Sequence, residues 1–220
     1  MVQYRTVEGL SELADVFDEF LIDQFGVLHD GMRPYHGAIP CLTKLKELGK
    51  NVILLSNSGK RAYANVARLA DLGFQKGLFD HVVTSGEVAW QGIIDGMFGE
   101  PFSRGRRMFL GIKLVADPSA SDFIMIAASR ALKMSLDQYG AMLAAAAASG
   151  IPALCCIPDR LMLTTEGLQP SAGEIAVYYE RLGGRVVFVG KPYESMYAFA
   201  KRQTRVPDAV RRSDRRQHRS

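Results

Sequence analysis

Four residues at the ends of apolar runs carry side chains that suit one kind of reaction centre. Asp23 closes the run FLID, Ser56 and Asn57 link NVILLS to the polar turn SNSGKR, and Lys191 follows RVVFVG. A carboxylate can attack phosphorus or hold a divalent cation, a hydroxyl and the amides at a helix start can bind phosphate oxygens, and an ammonium offsets the charge of a phosphoryl group in transfer. Each residue alone has a plainer reading: an acid at a strand end is a turn or cap residue, Ser-Asn-Ser is an N-cap, and Gly-Lys-Pro is a loop. Their joint order along the chain points to phosphoryl chemistry.

Such a centre needs elements that bring strand ends together. Over the first 200 residues, short apolar runs alternate with amphipathic stretches, the pattern of a parallel sheet flanked by helices, whose chemistry sits at the carboxyl ends of strands. FLID leads into QFGVLHDG, with Gly26 and Gly31. A helix, AIPCLTKLKELG, follows with apolar Ile39, Leu42, Leu45 and Leu48 and stops at Gly49. SNSGKR opens a second helix, AYANVARLADLG, and HVVTS leads into a third headed by Ser85 and Glu87. From about residue 98 the pattern restarts with RMFLGI, DFIMIA and PALCCI, an alanine-rich helix over 135–149, the helix AGEIAVYYERLGG and the run RVVFVGKP. That last run is expected to return to the first sheet, which would bring Asp23, Ser56, Asn57 and Lys191 to one crevice.

Composition narrows the classes further. The chain has 220 residues, 48% of them apolar and 23% charged, enough for one large or two modest domains. No apolar run reaches the roughly 18 residues of a membrane helix, and the first residues carry acids where a signal peptide is apolar, so a cytoplasmic protein is expected. Three cysteines, two of them the neighbours Cys155 and Cys156, fit neither a disulfide framework nor a zinc site and read as reduced, buried thiols. The net charge of +4 is local: residues 201–220 hold eight lysines and arginines against Asp208 and Asp214. That run has no interleaved aromatic for base stacking, so it reads as a solvated tail and no nucleic acid is expected. SNSGKR has Arg61 where a P-loop needs Ser or Thr, and no GxGxxG opens a helix, which excludes the common nucleotide and dinucleotide motifs. Of the scattered histidines, His29 alone follows the Asp23 loop, together with Asp30.

The strings DQFGVLHDG, PYHGAIPCLTKLKELGKNVILLSNS, VVTSGE and GGRVVFVGKPYESMY resemble the haloacid-dehalogenase-like superfamily, in its NagD-type branch of phosphatases with a large α/β cap, over about residues 12–200. The resemblance implies an α/β fold with a three-layer Rossmann-like core around a parallel sheet: residues 1–97 and 183–204 as core, 98–182 as the inserted cap, 205–220 as a basic disordered tail. It implies Asp23 as the nucleophile that becomes an aspartyl-phosphate, Ser56 with Asn57 beside it as phosphate-binding residues, and Lys191 as the lysine of the third motif. It further implies Mg²⁺ held by Asp23 and the backbone carbonyl of Phe25, and a small phosphorylated metabolite as substrate. A homo-oligomer stays open, and no membrane partner is expected.

Three departures shape the expected activity. The family has a second aspartate two residues after the nucleophile, which protonates the leaving alcohol; here that residue is Phe25. General acid–base catalysis is worth on the order of 10²–10⁴ in rate, so a slow phosphatase, or one restricted to good leaving groups, is expected. Nothing after Lys191 matches the family's fourth motif, an apolar strand ending in Gly-Asp, so Mg²⁺ binding is expected to be weak. Ile157 precedes Pro158 and Asp159 where the family often has asparagine. The alternative reading is a non-catalytic module that binds a phosphorylated ligand.

Overall fold

A computed structural model describes residues 6–104 and 114–204. The expected strand RMFLGI and the basic tail lie outside the described residues. The chain forms two compact units: one takes in the chain up to Leu55, Val66–Val82 and the chain from Ala198, the other Ser56–Asn65 and Val83–Tyr197.

The first unit is built on β1 (Glu19–Asp23) and β2 (Asn51–Ser56), which pair in parallel from Glu19 opposite Asn51 to Asp23 opposite Leu55. With β3 (His81–Thr84) the strand order is β1-β2-β3. Val52, Ile53 and Leu54 are wholly buried, which is why β2 reads as a continuous apolar run rather than an alternating one. The amino-terminal stretch contributes a single helical turn, α1 (Ser11–Ala14). Helix α2 (Ala38–Glu47) buries Ala38, Leu42 and Leu45, a helical stripe, and the core closes on Phe20, Leu69 of α3 (Ala62–Asp71) and Phe74. Asp80 pins this arrangement: its Oδ2 accepts from the Lys46 ammonium at 2.5 Å and from the Val52 N–H at 2.9 Å.

The second unit holds the helix α4 (Ser85–Ile94), whose cap is the Thr84 hydroxyl accepting from the Glu87 N–H. Its sheet contains β4 (Ile124–Ile126) and β5 (Ala153–Cys155). Between them runs α5 (Leu136–Ala148), started by a capping box in which Ser135 and Gln138 satisfy each other's backbone N–H. Alanine and glycine let α5 approach α6 (Ala172–Arg181) closely, with Gly140 set against the Tyr178 ring. A hairpin of β6 (Leu161–Thr164) and β7 (Gly167–Pro170) precedes α6, and β8 (Val186–Phe188) and α7 (Glu194–Arg202) follow it.

One expectation needs correcting. The run RVVFVGKP does not join the first sheet: β8 pairs in parallel with β5, Ala153 opposite Val186 through Cys155 opposite Phe188, in the order β4-β5-β8. A short apolar run reads alike in any parallel sheet, so its residues mark a strand without naming the neighbour.

Candidate active site

In the first unit, Asp23 stands at the carboxyl end of β1, opposite the residue that precedes Ser56. One carboxylate oxygen accepts from the Gln24 N–H at 2.8 Å. The chain then doubles back on itself. The Gln24 carbonyl takes the N–H groups of Leu28 at 2.8 Å and His29 at 3.3 Å, and the Gly26 N–H donates to the His29 carbonyl at 2.9 Å. Gly26 has φ +81°, a left-handed conformation that glycine adopts at little cost. This tight loop holds Leu28 and His29 inside and leaves the Phe25 side chain 54% exposed.

His29 is a staple of that loop. Its Nδ1 accepts the Gly31 N–H at 3.1 Å, and its ring lies edge-on to Phe25 and tilted against Phe74. Burial lowers its pKa, the Arg68 guanidinium lowers it further, and Asp30 and Asp23 oppose the shift. Arg68 also donates to the Gly31 carbonyl. Asp30 caps the next turn, accepting from the Met32 and Arg33 N–H groups at 2.8 Å each, and these bonds hold its carboxyl below the usual range.

In the second unit, Ser56 is half-buried, and Asn57 beside it is fully engaged. Because β5 and β8 run parallel and in register, the loops that leave their carboxyl ends emerge side by side, one carrying Pro158 and Asp159, the other Gly190 and Lys191. Asn57 bridges them. Its Oδ1 accepts the Lys191 N–H at 2.6 Å, and its Nδ2 donates to the Lys191 carbonyl at 3.0 Å and to Asp159 Oδ1 at 3.1 Å. An amide nitrogen has two hydrogens and both are spent here, so the Asn57 side chain has no donor left for a phosphate. Its main-chain N–H is the group it can offer.

The segment after Asn57 is held by a second set of bonds. The Ser58 carbonyl accepts from the Gly86 N–H and the Ser85 hydroxyl, both at 3.0 Å, and the Lys60 carbonyl accepts from Thr84 Oγ1 at 2.7 Å. Gly59 packs on the Ala127 carbonyl and Gly86 on the Gly59 and Lys60 carbonyls, so a Cβ at either glycine would collide with backbone. Arg61 forks onto Glu87 with bonds of 2.7 and 2.9 Å while its guanidinium lies 3.5 Å above the centre of the Trp90 ring. Glu87 also takes the Ala62 N–H at 2.9 Å, and the Arg61 bond chiefly holds its carboxyl below the usual range. Asp159, Arg61 and Glu87 are the residues that sequence reasoning left without a site role. Pro158-Asp159 stood out only as a departure from a family pattern, and Glu87 only as a helix head.

The donor set falls short of a divalent-cation cage. Among the described residues, no three His, Cys, Asp or Glu side chains gather where they could hold a metal ion. Mg²⁺ keeps several waters and is usually held by one or two carboxylates together with substrate phosphates, and toward such a site the Asp23 loop would offer one carboxylate and the Phe25 carbonyl. No described helix is long and apolar enough to cross a membrane.

Residues 20–109, a stretch containing Asp23, Phe25, Ser56 and Asn57, match the family of haloacid dehalogenase-like hydrolases. The chain is 27% identical to chronophin from Bos taurus over 201 residues, 80% of this chain and 67% of chronophin, so it spans about two thirds of that relative. Among solved structures, a haloacid dehalogenase-like hydrolase from Brucella suis aligns with a TM-score of 0.77 and 28% identity, covering 90% of this chain and 74% of that one. A p-nitrophenyl phosphatase from Archaeoglobus fulgidus shares the fold, with a TM-score of 0.63, 24% identity and coverage of 84% and 73%.

Proposed function

We propose, for a chain that belongs to the NagD-like branch of the haloacid dehalogenase-like hydrolases, hydrolysis of small phosphoric monoesters through a phosphoenzyme on Asp23. The observation that carries this reading is the place of Asp23, closing a parallel strand at its carboxyl end inside the stretch that matches the family. An Asp23 oxygen attacks phosphorus, the ester P–O bond breaks with its electron pair on the departing oxygen, and an acyl phosphate forms. Water then attacks phosphorus, the bond to Asp23 breaks, and inorganic phosphate and the free carboxylate result. Ser56 holds a phosphate oxygen with its hydroxyl, Asn57 offers its main-chain N–H, and the Lys191 ammonium offsets the charge of the transferred group.

Phe25 sets the preferred leaving group. Its ring cannot deliver a proton, so the departing oxygen must leave as the anion or take a proton from water, which favours phenols over alkyl alcohols. A second reading, a module that binds phosphorylated ligands without turnover, is favoured by this same residue.

Hydrolysis of an aryl phosphate by the wild-type chain and by Asp23→Asn separates the two. Turnover that disappears in Asp23→Asn supports the enzyme, and equal rates in both remove Asp23 from the mechanism. Inorganic phosphate that raises the unfolding temperature of a chain with no turnover supports the module.

A further inference from the structure

The side chain of Asn57 closes a ring of two hydrogen bonds with the main chain of Lys191, accepting its N–H at 2.6 Å and donating to its carbonyl at 3.0 Å. A side-chain amide used this way imitates a neighbouring strand: it fixes both peptide groups that flank the Lys191 Cα, and with them the direction in which that side chain leaves the backbone. Pro192 limits the chain on the other side, since its ring locks φ near −65°. The second amide hydrogen of Asn57 goes to Asp159, 3.1 Å away. An unanchored primary amide can turn over and exchange its oxygen for its nitrogen, which would set two donors against each other at the Lys191 N–H. A carboxylate accepts only, so Asp159 bonds the nitrogen and selects the orientation that Lys191 requires. Gly190, next in the chain, leaves the space this needs: a Cβ there would lie 2.7 Å from Asn57 Oδ1 and 2.8 Å from Pro158 Cδ.

We infer that Asn57 is a positioning residue for Lys191, aiming its ammonium through the backbone, and that Asp159 keeps the Asn57 amide in the orientation this requires. The inference rests on the reading of Lys191 as the cation that meets phosphate, and assigns roles to Asn57 and Asp159 that differ from phosphate contact. It also explains why an acid so close to a phosphate reading is tolerated: its charge is directed at the amide nitrogen.

The test uses the full chain with inorganic phosphate as the binding probe and an aryl phosphate as substrate, in the wild type, Lys191→Met, Asn57→Ala, Asp159→Ala, Asn57→Asp and the double variant Asn57→Asp/Asp159→Asn. A shift of about 1 Å in a catalytic group can cost roughly 100-fold, so Asn57→Ala is expected to weaken phosphate binding and to lower kcat about 10- to 100-fold, approaching Lys191→Met. Asn57→Asp keeps the acceptor for the Lys191 N–H but sets two carboxylates against each other, and should lose as much. The double variant restores a donor–acceptor pair between positions 57 and 159 with the roles exchanged, but leaves a carboxylate oxygen against the Lys191 carbonyl, so it should recover part, not all, of what Asn57→Asp loses. Recovery on the swap is what a merely structural role would not produce, because each single change removes packing or charge that the second does not replace. Asp159→Ala, at a residue outside the buried core, keeps the test open if Asn57→Ala fails to fold, and is expected to show a smaller loss in the same direction.

Phosphate affinity and kcat in Asn57→Ala and Asp159→Ala within twofold of wild type, while Lys191→Met loses both, would overturn the inference and leave the reading of Lys191 standing. A Lys191→Met variant with unchanged affinity would instead sink that reading, and the inference with it.

Discussion

Asn57 and Lys191, 134 positions apart in the chain, are joined by a reciprocal pair of hydrogen bonds between a side-chain amide and a main-chain peptide. The pair is possible because Gly190 carries no side chain and holds φ +126°, a region that L side chains rarely adopt. Gly190→Ala therefore combines backbone strain with a collision against Asn57 and Pro158. The expected loss is about 1–3 kcal/mol of stability, read from the urea midpoint. Phosphate affinity should fall with it, and an unchanged midpoint would show that the loop has room the distances deny.

Phe25→Asp tests the chemistry of the leaving group. The ring is half-exposed and its neighbours are His29 and the edge of the Gly31 turn, so replacing it should disturb the fold little. A carboxyl two residues after Asp23 can give a proton to the departing oxygen. Alkyl phosphate hydrolysis is expected to rise by about 10²-fold, while aryl phosphate hydrolysis changes by only a few-fold, since a phenolate needs little help. Equal gains on both substrates would point to a cause other than proton transfer. Initial rates on matched alkyl and aryl phosphates decide the matter.

The elements of this fold were legible where local signals are strong, and their partners were not. NVILLS and FLID gave their strands almost to the residue, and the alanine tract marked a helix over 135–149 that is found at Leu136–Ala148. The pairing of β8 with β5 was missed because register between distant strands leaves no trace in residue type. The hairpin of β6 and β7 was missed too, since Leu161, Leu163 and Leu168 are exposed and follow no buried alternation. Asp23, Ser56 and Lys191 are readable as candidates because phosphoryl chemistry would restrict the residue type at each. Asp159 is not, because its part depends on a hydrogen bond to a residue 102 positions away.

His29 makes stability depend on pH. Its folded pKa lies below the ordinary 6.5, chiefly through burial, so the folded state favours the neutral ring. The sign follows directly: this contribution is present above pH 6.5 and is lost as pH falls through the lower folded value. His29→Asn keeps an acceptor for the Gly31 N–H and removes the titration. Thermal unfolding between pH 7 and pH 5 should therefore fall more steeply for the wild type than for His29→Asn, and parallel slopes would show that the loop tolerates the charged ring.

Glu87 holds the segment that leads from Asn57 into α3, and its removal should be felt as lost stability before lost chemistry. Its carboxylate takes two bonds from Arg61 and one from the Ala62 N–H, with the Glu87 side chain 19% exposed and that of Arg61 34%. Hydrogen bonds to a charged group contribute about 1.5–3 kcal/mol, and Glu87→Gln replaces one acceptor by an amide nitrogen that faces the Arg61 donors. A loss of that size is expected at pH 7. The folded pKa lies below the ordinary 4.5, so the stabilisation is complete above that value and disappears as pH falls through the lower one. The difference in urea midpoint between the wild type and Glu87→Gln should therefore shrink as pH is lowered from 6 towards 3. A difference that stays constant over that range would assign the loss to packing against Trp90 rather than to the charge on Glu87.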